Sequence, residues 1–179
     1  MEKFERLSRE LKFKGSIIDF YQDQIQIPNG NVATWDFIEH KGAAGVVPVL
    51  PDGRIVMVKQ YRNALNRFTL EIPAGGRESV NEEFYDCAYR ELTEETGFTC
   101  ERLEKLIEIN TTVAFCNEMI HVFVAHVDAN QGLQHLDEDE YVNVELVELD
   151  DLLKMIYDCK ITDGKTIASI MAYKNLINK

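Results

Sequence analysis

Three glutamates, Glu91, Glu94 and Glu95, stand at spacing i, i+3 and i+4 in a segment with no proline or glycine between Ser79 and Gly97. On a helix this spacing puts the three carboxylates on one face. At 100° per residue Phe84, Cys87, Ala88 and Leu92 gather on one side, which predicts the packing face, and the carboxylates fall within that sector. The outer face is left to Glu82, Asp86, Tyr89 and Thr93. A charge run ordinarily marks a solvated surface, but carboxylates beside a buried stripe repel one another and lose hydration, which is costly unless something compensates. A hard divalent cation compensates: Mg2+ accepts carboxylate and water oxygens, usually together with substrate phosphates. Arg90, next to the first of these glutamates, is placed to orient or neutralise one of them. The spacing points to a divalent-cation site rather than a solvated acidic surface.

Such a helix needs ends and a scaffold. Ser79 and Glu82 have capping-box spacing, and Gly97 stands where a left-handed C-cap belongs. Residues 12–40 read as extended segments, with Pro28-Asn29-Gly30 as a hairpin turn before 34–40. A second pair, 45–50 and 54–59, flanks Pro51-Asp52-Gly53. Residues 69–72 lead into the helix, strands follow near 103–109, 119–127 and 141–149, and helices over 150–159 and 165–178 close the chain. Strands between helices on both faces predict an α/β fold, an α/β/α sandwich around a mixed β-sheet. A small N-terminal antiparallel β segment (1–40), too short for a core of its own, precedes the main domain (41–179).

Around the carboxylates the chain places Gly76, Glu82, Arg90, Glu91, Leu92, Glu94, Glu95, Gly97 and Phe98 at the spacing G-x5-E-x7-R-E-U-x-E-E-x-G-U, with U bulky and apolar. Such a coincidence arises by chance on the order of once per billion starting points. The pattern is the Nudix box, and the chain resembles the Nudix hydrolases, which cleave a nucleoside diphosphate linked to another moiety. That resemblance implies the predicted sandwich, with Glu91 and Glu95 as metal ligands, Glu94 assisting, and Glu82 supporting the loop and cap. It also implies a backbone carbonyl ligand just before the box glycine. Here Ile72-Pro73-Ala74-Gly75-Gly76 is one residue longer than the usual approach, so Gly75 and Ala74 both stay open for that role.

From about residue 13 onward the chain is similar to the ADP-ribose pyrophosphatase branch of that family. Val58-Lys59-Gln60-Tyr61-Arg62 matches a segment whose arginine binds substrate phosphates, which Arg62 can do by forked, charge-assisted hydrogen bonds. Glu71, at the strand end entering the box, is expected on the substrate side. Trp35 matches a tryptophan that stacks on adenine in some members; a lone tryptophan is as often a core or interface anchor. The acidic run 137–140 matches a loop carrying the general base and a further ligand, which makes Glu138 the candidate base and Glu140 the ligand, with Asp137 and Asp139 as competitors. Glu118 matches an acidic substrate-side residue. The branch's proline and glycine before it are replaced by Val113 and Ala114, which alters the pocket for the terminal ribose.

Composition bounds the partners. A net charge of -12 disfavours nucleic acid, because no basic patch of the needed size is available. No apolar run reaches membrane-spanning length, and the N-terminus lacks a signal peptide's apolar core. Cys87, Cys100, Cys116 and Cys159 are scattered without a CxxC pair, as in a reduced, cytoplasmic protein. Gly164-Lys165-Thr166 resembles the end of a P-loop, but Cys159 holds the place of the required glycine, so it reads as a helix start. His121 and His126, at odd spacing in a strand, face opposite sides and share no metal.

The expectation is therefore a Mg2+-dependent (Mn2+ as substitute) hydrolase of ADP-ribose, with Glu138, Glu95, Glu94 and Arg90 in the chemistry and Trp35, Arg62, Glu71 and Glu118 on the substrate. Glu91, Glu95, Glu94, Glu140 and the Gly75 carbonyl would hold the metals. The resemblance further implies a homodimer through the N-terminal segment. GDP-mannose or another nucleotide sugar is the rival substrate, and a Nudix module that binds without cleaving is the alternative of another class.

Overall fold

Alternation along two central strands decides the layering. In β4 (Ala43–Val49) Val46 and Val47 point to opposite faces, as do Val56 and Met57 in β5 (Ile55–Arg62), and all four are fully buried. A sheet apolar on both faces must be covered on both. In the computed structural model, which describes residues 3–138 and 140–178, helices do this. Helix α1 (Phe84–Thr96) supplies Cys87, Ala88 and Leu92 to one core, with Val46, Val56, Phe98, Phe123 and Ala125. Helices α2 (Leu149–Tyr157) and α3 (Gly164–Ile177) supply Leu152, Ile170 and Tyr173 to the other, with Val47, Ile55, Met57, Val122 and Val124. Leu92 is fully enclosed, and its replacement by Ala should cost about 2–5 kcal/mol. The α/β/α sandwich is as expected.

The chain divides into two compact units. The larger holds Ala43–Ile109 and the residues from Ile120 onward. Its seven strands are β4, β5, β6 (Arg67–Glu71), β7 (Ala74–Gly76), β8 (Cys100–Asn110), β9 (Met119–Val127) and β10 (Val142–Val147). The main path runs β10-β5-β4-β9-β8, mixed because β4 and β9 are parallel. Strands β4 and β5 pair only at Val49 and Ile55, beside the turn they flank. Beyond it they part, β6 taking the freed edge of β5 and β7 that of β4. The residues joining β6 to β7 thus lie in the opening of the sheet, where they meet Glu91 and Glu95 of α1.

The capping box is not formed. Helix α1 starts at Phe84 after Glu83, and Ser79 and Glu82 belong to the loop before it. Arg77 orders that loop by donating to the carbonyls of Val80 and Glu82, both at 2.6 Å, while its guanidinium lies 4.3 Å from the centroid of the Phe84 ring. The other end is as expected: Gly97 has φ of +72° and its N–H caps Thr93. A side chain at position 97 would also come within 2.5 Å of the Gly132 carbonyl oxygen.

The smaller unit comprises residues through Gly42 and Asn110–Met119. It contains an antiparallel sheet of β1 (Glu5–Lys14), β2 (Asp19–Gln26) and β3 (Val32–Glu39). Strand β1 begins at Glu5, earlier than the extended region expected from residue 12. Its charged residues hid it: Arg9 is fixed by two hydrogen bonds to the buried Asp23, at 2.7 and 2.6 Å, and lies 3.7 Å from the Phe37 ring centroid. The 110–119 segment joins at Ile38, whose N–H donates to the Phe115 carbonyl at 2.7 Å.

Candidate active site

The site starts where the chain crosses the open sheet from β6 to β7. Pro73 accepts from the Val46 N–H at 3.0 Å, which pins the crossing to β4. The next N–H, of Ala74, donates to Glu95 Oε2 at 2.8 Å. Gly75 then passes so close to α1 that a Cβ there would overlap the Glu91 carboxyl group. Gly75 therefore lets the strand lie against the Glu91 carboxylate, while Gly76 has open space where a side chain would be.

Glu91 and Glu95 are 7% and 3% exposed, so the sector predicted to carry both core and carboxylates does carry both. Glu94 is less enclosed. One guanidinium joins the box: Arg90 Nη1 donates to Glu91 Oε1 at 2.6 Å and Glu94 Oε2 at 3.0 Å, Nε to Glu82 Oε1 at 3.1 Å, and Nη2 to the Gly76 carbonyl at 3.0 Å. Glu82 in turn accepts from the Glu78 N–H at 2.6 Å, which ties Arg90 to the loop. Burial raises Glu91 to about 7 despite Arg90, with the charges of Glu94 and Glu140 adding to the rise. Burial and then the Glu91 charge raise Glu95 to about 8.

These residues fit a hard divalent cation. Two enclosed carboxylates resist ionisation because burial outweighs the positive charge that Arg90 and Lys165 supply, and carboxylate oxygen is the donor such a cation takes. Among the described residues no three acidic, histidine or cysteine side chains are gathered closely enough to hold an ion by themselves. An ion that keeps waters and takes substrate phosphates as ligands needs no such cluster. Cys87, beneath the box with its Sγ 3.7 Å from the Gly75 carbonyl oxygen, is no competing ligand, because burial and the charges of Glu82 and Glu91 push its thiol up to about 12.

A relationship absent from the sequence pattern holds the acidic loop here. The last carbonyls of a helix lack partners within it. In α1 they are taken by the segment leading to that loop: Gln131 Nε2 donates to Thr96 at 2.9 Å, Gln134 Nε2 to Glu95 at 2.6 Å, and the N–H groups of Gly132 and His135 to Gly97 and Glu94 at 2.8 and 2.9 Å. Gln134 Nε2 is also 3.2 Å from the Val142 carbonyl, so it closes the loop at the start of β10. Glu140 follows, its field acting on both Glu91 and Glu95. Its N–H donates to the Asp137 carbonyl at 3.0 Å. Glu138 is exposed at the turn; Asp139 lies outside the described residues.

Arg62 ends β5 on the strand face of Val58 and Gln60. It donates from Nε and Nη2 to Glu71 at 2.8 and 2.6 Å and stays 41% exposed. Glu71, expected on the substrate side, is buried behind Arg62. It is 1% exposed, and its oxygens are taken by Arg62, by Thr69 Oγ1 at 2.6 Å and by Lys165 Nζ, so it braces Arg62 from behind. Burial alone would raise Glu71, but the Arg62 hydrogen bond and the Lys165 charge outweigh it and hold the carboxyl at about 2. Lys165 had no local signal, since its partner lies 94 positions earlier. The Gln60 Nε2 is enclosed with no partner among the described residues, a donor for a water or substrate oxygen.

Trp35 and Glu118 belong to the smaller unit. Trp35 is half exposed, its ring centroid 6.1 Å from that of Phe4. Glu118 accepts from Thr111 Oγ1 at 2.7 Å and lies 3.5 Å from His40 Nδ1. The altered position Val113 is 84% exposed. Arg62, Glu71, Gly75, Arg90, Glu91, Glu94, Glu95 and Glu140 all lie in the larger unit.

Residues 39–168 match the family model of the NUDIX domain. An ADP-ribose pyrophosphatase of Bacillus subtilis is 39% identical to this chain over 165 residues, 92% of this chain and 89% of its own. A methanol dehydrogenase activator of Bacillus methanolicus is 36% identical over the same shares of the two chains. A GDP-mannose pyrophosphatase of Yersinia enterocolitica is 31% identical over 65% of this chain and 64% of its own. A crystal structure titled as that of an ADP compounds hydrolase has a TM-score of 0.85 over 99% of this chain and 96% of its own; at 18% identity the likeness is one of fold.

Proposed function

This chain belongs to the NUDIX family, and from that premise we propose that it is a pyrophosphohydrolase that cleaves the diphosphate of ADP-ribose to AMP and ribose 5-phosphate, using Mg2+ with Mn2+ as a substitute. The observation that carries this reading is the pair of enclosed glutamates, Glu91 and Glu95, set on one face of α1 against the strand that enters the box at Ala74 and Gly75. Glu91, Glu95, Glu94, Glu140 and the Gly75 carbonyl would hold the divalent cation, which when bound would supply positive charge to the diphosphate and make a water more acidic. The protein's own groups do the rest. Arg62 binds the phosphate oxygens with a guanidinium held in place by Glu71. Arg90 keeps Glu91 and Glu94 in register. Glu138, on a loop fastened to the end of α1, takes a proton from the attacking water. The water oxygen bonds to one phosphorus, the bridging P–O bond breaks with its electrons going to the departing phosphate, and two monoesters leave.

The N-terminal strands, with Phe4, Leu7, Leu11, Phe13 and Trp35 exposed, pair with a second copy in this reading and bring Trp35 to a shared active site. The four cysteines are free thiols and no described helix is long and apolar enough to cross a membrane, in keeping with a cytoplasmic location. The Val113-Ala114 substitution and the likeness to a GDP-mannose pyrophosphatase favour GDP-mannose as the second substrate to test. A module that only binds would not need its complete set of box glutamates.

Steady-state rates on ADP-ribose, GDP-mannose, UDP-glucose and diadenosine polyphosphates, measured in parallel by chromatography with Mg2+, test the substrate. The highest kcat/KM is expected for ADP-ribose. A higher value for GDP-mannose would reassign the substrate and point to the 112–118 loop.

A further inference from the structure

Gly164-Lys165-Thr166 does more than start a helix. Asp163 caps α3, its Oδ2 accepting from the Thr166 N–H at 3.0 Å and from Thr166 Oγ1 at 2.6 Å. The Thr166 oxygen then accepts from the N–H of Ile72 at 3.0 Å, although Ile72 lies 94 positions earlier. The side chain between them, Lys165, extends along the same strand end: its ammonium bonds Asp163 Oδ2 at 2.9 Å and the Glu71 carboxylate. The first turn of α3 therefore grips the end of β6 by its backbone at Ile72 and by its side chain at Glu71. At 11% exposure the Lys165 side chain is far more enclosed than that of Arg62.

One buried carboxylate thus serves two cations. An arginine paired alone with a carboxylate has its charge cancelled, and a single bidentate contact can still pivot. A second cation on that carboxylate, itself anchored to Asp163, fixes its plane. We propose that Lys165 is a positioning residue for Arg62: held between Asp163 and Glu71, it fixes the carboxylate that braces the guanidinium and so keeps Arg62 aimed at a substrate phosphate. The substrate in this inference rests on the function proposed above; the geometry does not. Lys165 itself, enclosed behind Glu71, is not a catalytic residue.

The experiment compares the whole protein with K165M, K165Q and K165R. Steady-state kinetics on ADP-ribose at saturating Mg2+ should show KM raised roughly tenfold in K165M and K165Q with kcat little changed, and near wild-type KM in K165R. In parallel, inorganic pyrophosphate with Mg2+ should raise the melting temperature of K165M and K165Q less than that of the wild type. A merely structural lysine would lower the melting temperature but leave KM and the pyrophosphate-induced shift unchanged, which would overturn the inference. Should K165M fail to fold, K165Q, which removes the charge but keeps a hydrogen-bonding end, decides. If wild-type protein cleaves no ADP-ribose, the substrate assignment alone fails, and the pyrophosphate comparison still judges Lys165.

Discussion

The Glu91 carboxylate fills the space in which a side chain at Gly75 would have to lie. The strand entering the box and the helix carrying it are therefore in contact through a metal-binding candidate. Gly75→Ala must displace the carboxylate or the strand, which should cost about 1–3 kcal/mol of stability. A displacement near 1 Å should lower turnover about 100-fold. Thermal melts and kcat on one preparation check this; a fully active G75A would show that Glu91 need not stay where it is.

The raised carboxylates set a pH dependence. Glu91 and Glu95 keep their protons up to about 7 and about 8, whereas an unfolded glutamate near 4.5 has lost its own. Across that window the unfolded chain binds fewer protons, so the stability these two groups contribute is complete below 4.5 and lost as pH rises to about 8. Glu71, held at about 2, acts in the opposite sense: its contribution is present above 4.5 and lost as pH falls toward 2. A cation needs the ionised carboxylates, so its binding releases protons and the melting-temperature gain from Mg2+ should grow from about pH 6 to about pH 8.5. Melts with Mg2+ and with EDTA over that range measure it, and a gain independent of pH would contradict the assignment of Glu91 and Glu95 as ligands.

Arg90 bonds Glu82, Glu91, Glu94 and the Gly76 carbonyl at once. Arg90→Gln should reduce activity roughly 10- to 100-fold and raise the Mg2+ concentration needed for half-maximal rate. A metal titration of the rate tests this, and an unchanged metal requirement would reduce Arg90 to a structural support.

Glu138 is exposed on its loop, so Glu138→Gln should leave the melting temperature in place while kcat falls roughly 100- to 10,000-fold. Should Asp137→Asn suffer that loss while E138Q stays active, the base is Asp137.

Local signals were legible and long-range ones were not. The helical spacing of Glu91, Glu94 and Glu95 against Leu92 foretold their shared face, because helix periodicity is a local property. Gly97 likewise ended the helix where its glycine is needed. Ser79 and Glu82 misled: the same polar groups that can cap a helix can serve a loop, and Arg90 claimed Glu82. Lys165 and Gln134 act on Glu71 and Glu95, and no spacing rule connects residues so far apart. The burial of Glu71 was not legible, since its match to a family segment carried no information on burial.

The most direct test of the central claim is product analysis of ADP-ribose incubated with wild-type protein and Glu95→Gln, each with Mg2+ and with EDTA. AMP and ribose 5-phosphate are expected in equal amounts from the wild type with Mg2+, and almost none from E95Q or with EDTA. Equal turnover by E95Q, or by wild type in EDTA, would contradict a cation held at the box glutamates.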